Sequence, residues 1–497
     1  MVLVQASKIN LPTSSSSPPP SKTPTSFLFE PHSFSLALFH SDYSLSLFPS
    51  ISFPFSSHHK SITIPAPSSS STFLLLQKSQ QNPNPRVLFI AGGPYKGGSK
   101  ILLRFFLYRD DGSKAFEKAK VVVSKQKGIE FDDKVGVLID VSHGLKVMMV
   151  GSVNFFALYS VSSSKVLIFG VKLVDDDESD GGVMVKLMKC AVIDCTKPVF
   201  SIGVSFEYLV LGEENGVRVW NLRELVKGKR VRRVKISGLS NGVTGDSDGF
   251  VGGSTASEII CNGYSNGKTD KKCVSVKQRS GKYRQESGEE VECFVAFEQK
   301  EVNLKSINVP FMSRKAISIQ PLSSKKFLIL DSEGDLSILN VLNTAVGPNI
   351  SCQMRQLPHF MKVQKLAVLP DSSRRQTVWI SDGYHSVHML DISSAVNEND
   401  KRESEDKLTE ISVNQAIFLS EKIQDMIPTA SNSILILGLG NLLVSSFRGR
   451  SMFQVLLDDY IPLSLILDQY VSWPSCIRSA KACEVRGLQL SHASNGA

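Results

Sequence analysis

A chain of 497 residues has room for one large domain or two to three ordinary ones, and 42% of it is apolar against 21% charged. Those proportions exclude a wholly disordered chain, a collagen, a coiled coil and a polytopic membrane protein. The formal charge of +9 admits an acidic partner without identifying one.

The first 85 residues hold 22 serines and 12 of the 22 prolines but only two acidic residues, Glu30 and Asp42. Ser-rich, acid-poor leaders have the composition of organelle transit peptides, which makes a plastid address one expectation. Arginine is absent before Arg86, however, and prolines at 12, 18, 19, 20 and 24 would break an amphipathic helix. Residues 1–33 are therefore expected to form a mostly disordered Ser/Pro-rich leader. No apolar run reaches the roughly 18–20 residues of a membrane helix, so no membrane partner is expected. The best stretches, 34–55 and 433–447, are interrupted by His40 and Asp42 and by Asn441 with two glycines.

From there the chain is written in short apolar runs separated by tight turns, with almost no helical periodicity. The predicted hairpins, in order, are Ser35–Phe39 with Ser44–Phe48, Arg86–Ala91 with Lys100–Tyr108, and Lys146–Ser160 with Lys165–Val171. Then follow Tyr208–Gly212 with Val217–Leu222, Phe327–Leu330 with Leu336–Val341, Thr377–Ile380 with Ser386–Ile392, and Ser433–Leu437 with Leu442–Phe447. Further strands are expected at 119–124, 136–141, 183–193, 199–204, 291–297, 316–319, 363–369 and 415–419, each strand pair alternating a buried face with a less buried one. Turn centres near 42, 96, 163, 215, 333, 383 and 440 give gaps of 54, 67, 52, 118, 50 and 57 residues. A period of about 40–60 residues with four strands per unit predicts an all-β fold, a seven-bladed β-propeller over 34–447. The gap of 118 would hold either a long insertion or an eighth blade. Ser237–Glu290, rich in Gly, Ser and Asn, reads as a flexible basic insertion, and 448–497 as an irregular tail. Ring closure by an N-terminal strand is expected from Ser26–Glu30 or Val2–Val4.

The run YLVLGEENGVRVWNL at 208–222 resembles the end of a WD40 blade, with Trp220-Asn221 standing where Trp-Asp is expected. Weaker echoes occur at 327–341, 377–392 and 35–48. The Gly-His element that opens a WD40 repeat is missing from every unit, so packing must replace the His–Ser/Thr–Trp–Asp hydrogen-bond network. The chain is similar to divergent, plant-type WD40 repeat-like (transducin-like) proteins. That resemblance implies a protein-interaction scaffold rather than an enzyme.

No residue pattern selects a chemistry. AGGPYKGGSK at 91–100 has Gly-Ser-Lys where a phosphate loop needs Gly-Lys-Ser/Thr, and a strand-like run follows it, so a hairpin turn is expected. Counting from Asp176, DDDESDGG places Leu187 where a calcium loop needs glutamate. His58-His59 has no partner ligands in view, and His385 and His388 are spaced for opposite faces of a strand, with His359 the third of that trio. The eight cysteines form no CxxC pair and read as reduced thiols. No catalytic residue, cofactor, metal or small-molecule substrate is therefore expected. Lys227, Lys229, Arg230, Arg232, Arg233 and Lys235 form a cluster like a nuclear-import signal, or else a cationic outer strand. Residues 227–284 carry 13 basic and four acidic side chains, which equals the whole formal charge and leaves polyanion contact open. The expected function is a non-catalytic scaffold, nuclear or cytoplasmic, binding proteins through propeller loops. The alternatives are a nuclear nucleic-acid-associated or regulatory factor using 227–284, and, third, a propeller hydrolase.

Overall fold

A computed structural model describes residues 7–9, 22–51, 61–77, 85–110, 114–124, 126–175, 183–228, 230–236, 292–298, 313–343, 350–358, 361–369, 375–394, 409–430, 433–439 and 441–446. Those residues build seven sheets, each with four antiparallel strands called a to d from the axis outward. Blade 1 comprises Pro24–Glu30, Ser35–His40, Leu45–Phe48 and Ile62–Ile64. Blade 2 comprises Ser70–Leu76, Arg86–Tyr95, Lys100–Arg109 and Gly136–Asp140, with Ile129–Asp132 outside. Blade 3 comprises Val147–Gly151, Phe155–Ser160, Lys165–Asp175 and Val183–Asp194. Blade 4 comprises Ser201–Val204, Tyr208–Glu213, Gly216–Asn221 and Glu292–Ala296. Blade 5 comprises Ala316–Pro321, Lys326–Asp331, Leu336–Asn343 and Ile350–Gln356. Blade 6 comprises Lys365–Val368, Arg375–Ser381, Ser386–Ser394 and Thr409–Phe418. Blade 7 comprises Asp425–Ala430, Ser433–Leu437, Leu442–Ser446 and, out of chain order, Ser7–Ile9. The a strands touch their neighbours in cyclic order, and that of blade 7 touches that of blade 1. This is a closed seven-bladed β-propeller.

Seven apolar clusters alternate with the seven sheets, one at each seam between blades. A b strand is therefore buried on both faces. Tyr208–Glu213 and Ser433–Leu437 are buried at every position, and their sequences run nearly continuous in apolar residues. This corrects the expected alternation of buried and less buried faces: each blade is a slice between two cores. The period-2 signal survives as a choice of core, since Val210 joins the cluster toward blade 5 while Leu209 and Leu211 join that toward blade 3.

The ring is closed by Ser7–Ile9, whose residues pair antiparallel with Val444, Leu443 and Leu442. The expectation that Ser26–Glu30 closes it is corrected, because Pro24–Glu30 is the a strand of blade 1. Val2–Val4 lies outside the described residues. The propeller thus begins before residue 34, and the 1–33 segment supplies it with two strands. The expected single strand over 146–160 is two, broken where Asn154 takes a left-handed conformation (φ 62°). No eighth sheet occurs among the described residues, and the 118-residue spacing spans 237–291, which lies between Arg232–Lys235 and the d strand of blade 4. The expected insertion at 237–290 and tail at 448–497 fall outside the described residues.

Blade 3 shows how an exposed sheet edge is covered. Its 12-residue d strand takes Lys120–Val123 from the blade 2 side in parallel pairing at 184–187. It takes Arg232–Lys235 from the blade 4 side, also parallel, at 191–194. Between them, the Gln126 side chain bonds Lys189 both ways: its amide donates to the Lys189 carbonyl at 2.9 Å and its oxygen accepts from the Lys189 amide at 2.7 Å.

Candidate interaction face

In an up-and-down meander, the b–c turns and the d–a connections fall on one face of the ring, and the a–b and c–d turns on the other. Backbone hydrogen bonds tie the first set together. Each of six b–c turns bonds the connection that enters the next blade: Ser68 N to Tyr43 O at 3.0 Å, Gly144 N to Gly98 O at 2.7 Å, and Cys195 N to Ser164 O at 2.8 Å. Asn215 N to Arg314 O at 2.6 Å, Val363 N to Gly334 O at 3.2 Å and Ile423 N to Tyr384 O at 2.8 Å complete the series. The turns hold left-handed residues at Tyr43, Gly98, Ser164, Asn215, Gly334 and Gly383. At Gly98 (φ 86°) a side chain would also strike Leu145, 2.6 Å from the position of a Cβ.

Buried arginine–carboxylate pairs brace this face in blades 4 and 5. Arg218 on strand c grips Glu213 at the end of strand b with two bonds of 2.7 and 3.2 Å, over the ring of Phe294. Arg314, in the connection entering blade 5, bonds Asp331 and lies 3.3 Å from Asp335, over the ring of Phe297. Both arginines are satisfied internally, so they stiffen the face rather than await a ligand.

The five most exposed large apolar side chains among the described residues all lie on this face: Tyr43 at 65%, Phe418 at 64%, Leu439 at 63%, Leu145 at 59% and Tyr384 at 54%. Four of them sit on three consecutive blades, with Tyr384 and Phe418 on blade 6, Leu439 on blade 7 and Tyr43 on blade 1. The turns that carry Tyr43 and Tyr384 are each fixed by an aspartate. Asp42 accepts hydrogen bonds from the Ser44 side chain and backbone, which hold its carboxyl below the usual range and fix the turn presenting Tyr43. Burial alone would raise the Asp382 carboxyl, but amide bonds from Tyr384 and Ser386 bring it below its ordinary value and fix the second turn. Lys422 covers the Tyr384 ring at 5.6 Å, and His388 meets Phe418 edge-on at 6.4 Å. Large apolar tips on pre-organised turns are the makings of a binding hot spot. The turns were legible in the sequence, but the apolar residue at the tip of each was not singled out. The available signal was Asp-Tyr at 42–43, Asp-Gly-Tyr at 382–384 and Gly-Leu-Gly at 438–440, apolar residues where turn chemistry favours polar ones.

The residues singled out from sequence are placed elsewhere. Trp220 is 1% exposed in the seam between blades 3 and 4, and Asn221 caps the helix Leu222–Val226 by accepting from Arg223 N and Glu224 N. In the basic cluster, Arg232 and Val234 turn inward, Arg232 bonding Glu224 O at 2.9 Å and Val234 packing on the core. Lys227, Arg230, Arg233 and Lys235 are exposed, and Lys229 lies outside the described residues. Burial, then the nearby Arg233, lowers the Lys189 pKa beside this strand. AGGPYKGGSK forms the blade 2 hairpin, with a short 3-10 turn at Lys96–Gly98 and a strand after it. Residues 176–182, His58-His59 and His359 are outside the described residues. Among the described residues no group of three or more His, Cys, Asp or Glu side chains is placed to hold a metal, and no helix is long and apolar enough to cross a membrane.

No protein-family model matches the chain, and no curated protein matches it. Among solved structures, the crystal structure of RRP9 WD40 repeats aligns with 90% of this chain and 100% of its own, at 10% identity and a TM-score of 0.40. The structure of U3-55K aligns with 89% of this chain and 98% of its own, at 9% identity and a TM-score of 0.40.

Proposed function

We propose that the chain is a non-catalytic scaffold that binds other proteins through the face of the b–c turns, with Tyr384, Phe418, Leu439 and Tyr43 as anchors across blades 6, 7 and 1. One observation carries this reading: the most exposed large apolar side chains collect on one face, two of them, Tyr43 and Tyr384, on turns fixed by aspartate hydrogen bonds. Exposed apolar groups held rigid lose little entropy when a partner covers them. The buried charged groups of blades 4 and 5 are occupied in bracing the ring, which supports a scaffold over a hydrolase.

The test uses a photo-crosslinking amino acid placed singly at 43, 384 and 418, and at 342 on the opposite face, where Leu342 is 48% exposed. Adducts to a common protein from the first three positions and none from 342 are expected. Equal labelling from 342 would remove this face from consideration.

A further inference from the structure

Cys293 and Cys352 lie at the seam between blades 4 and 5, on the outermost strand of each. Those two d strands touch one another. Cys293 is the cross-strand partner of Val219, and Cys352 the partner of Val341. Partners in an antiparallel ladder project from the same face. Both valines belong to the single apolar cluster that fills this seam, so both cysteines project into the same layer from opposite sides. Their strand neighbours agree: Val295 from one strand, and Ile350 and Met354 from the other, pack on that cluster. The two thiols hydrogen-bond to each other, and both are reduced and partly buried.

We propose that Cys293 and Cys352 form a reversible disulfide, made by exchange with a low-molecular-weight disulfide such as glutathione disulfide, which ties the outer strand of blade 4 to that of blade 5. In the first step the Cys293 thiolate attacks one sulfur of glutathione disulfide and displaces a glutathione thiolate. In the second, Cys352 loses its proton and attacks the Cys293 sulfur of the mixed disulfide, releasing the second glutathione. Two S–H bonds become one S–S bond, and one glutathione disulfide becomes two glutathiones. The hydrogen bond to Cys293, and then burial, push the Cys352 thiol far up, which favours Cys293 as the first nucleophile. Exchange is accordingly slow, as suits a buried seam rather than a rapid sensor. Glu292–Ala296 is five residues long and, among the described residues, pairs only with Gly216–Asn221.

The test is a peptide map of the full-length reduced chain after equilibration with excess glutathione disulfide and alkylation of the remaining thiols. A linked peptide joining 293 to 352 is expected, about 2 Da lighter than the sum of its reduced halves. Its yield should fall when the exchange is run in urea, where the fold no longer holds the two thiols together. Cys352→Ser should lose the link and leave Cys293 carrying glutathione, and Cys352→Ala serves if the serine disturbs folding. Recovery of both residues alkylated or singly glutathionylated from the folded chain, or an equal yield of the link in urea, overturns the proposal.

Discussion

Truncating Ile9 to alanine tests the closure of the ring at its one joint between distant parts of the chain. Ile9 is 6% exposed and packs with Phe27, Leu36, Leu38, Phe48 and Ile51 of the blade 1 side, and with Leu435, Leu437 and Leu442 of blade 7. The substitution removes three buried carbons at about 0.8 kcal/mol each, and the cavity left in a two-sided seam brings the loss to about 2.5–4 kcal/mol. Lys8→Ala on the same strand changes an exposed side chain and should shift stability by less than about 0.5 kcal/mol. The assay is urea denaturation of both variants beside the wild type, followed by tryptophan fluorescence. Trp379 lies in the seam between blades 6 and 7 and Trp220 in that between blades 3 and 4, so with Trp473 and one of these two replaced by phenylalanine in turn, a loss originating at the closing strand is read at two distances from it. Deleting residues 1–21 should cost more than Ile9→Ala, because the edge of Leu442–Ser446 then loses its ladder as well. If Ile9→Ala matches Lys8→Ala at both tryptophans, the closing strand contributes nothing and the ring is held some other way.

The Asp425 carboxylate, which accepts from Phe27 N at 3.2 Å across the seam between blades 7 and 1, is raised in pKa by burial. A raised carboxylate penalises the fold once it ionises, so on acidification from pH 7 to 4 wild-type stability should improve relative to Asp425→Asn, levelling below the ordinary aspartate range. Thermal melts of the two proteins across that range would show it. Arg314→Met leaves Asp331 and Asp335 buried side by side and should cost about 3–5 kcal/mol in urea, most of it recovered by adding Asp331→Asn and Asp335→Asn. Gln126→Ala strips both bonds from the Lys189 backbone and should cost about 1–3 kcal/mol, with amide exchange accelerating at Lys189 first. Tyr43→Gly relieves a left-handed tyrosine, so its stability should stay within about 1 kcal/mol of wild type while crosslinking from position 384 to the partner weakens.

Strand identity and blade number were legible because hairpins are local. Tyr208–Gly212 and Val217–Leu222 meet across a turn, and all seven such pairs occur where their apolar runs and Gly/Asp/Asn turns place them. Strands joined to their partners by longer connections were missed, among them Ser70–Leu76 and Ile350–Gln356, and so was the short outer strand Ile129–Asp132. Ser70–Leu76 carries little alternation, while Ile350–Gln356 and Ile129–Asp132 alternate over stretches short and polar enough to pass for loop, and tertiary contact selects them. The basic cluster was legible as charge, but only the blade 3 edge decided that Arg232 and Val234 turn inward while Arg233 and Lys235 face out.

Length, composition and turn spacing by themselves determined an all-β ring of repeating hairpins and placed the entire net charge in one segment. The tertiary structure alone decided that Ser7–Ile9 rather than a later strand closes the ring, because closure joins chain ends that no local pattern relates. It alone brought Tyr43, Tyr384, Phe418 and Leu439 to one face, and turned Cys293 and Cys352, 59 positions apart, into a single seam. Hairpin contacts are written within a few tens of residues, whereas a face or a seam exists only once the blades have taken their order around the axis.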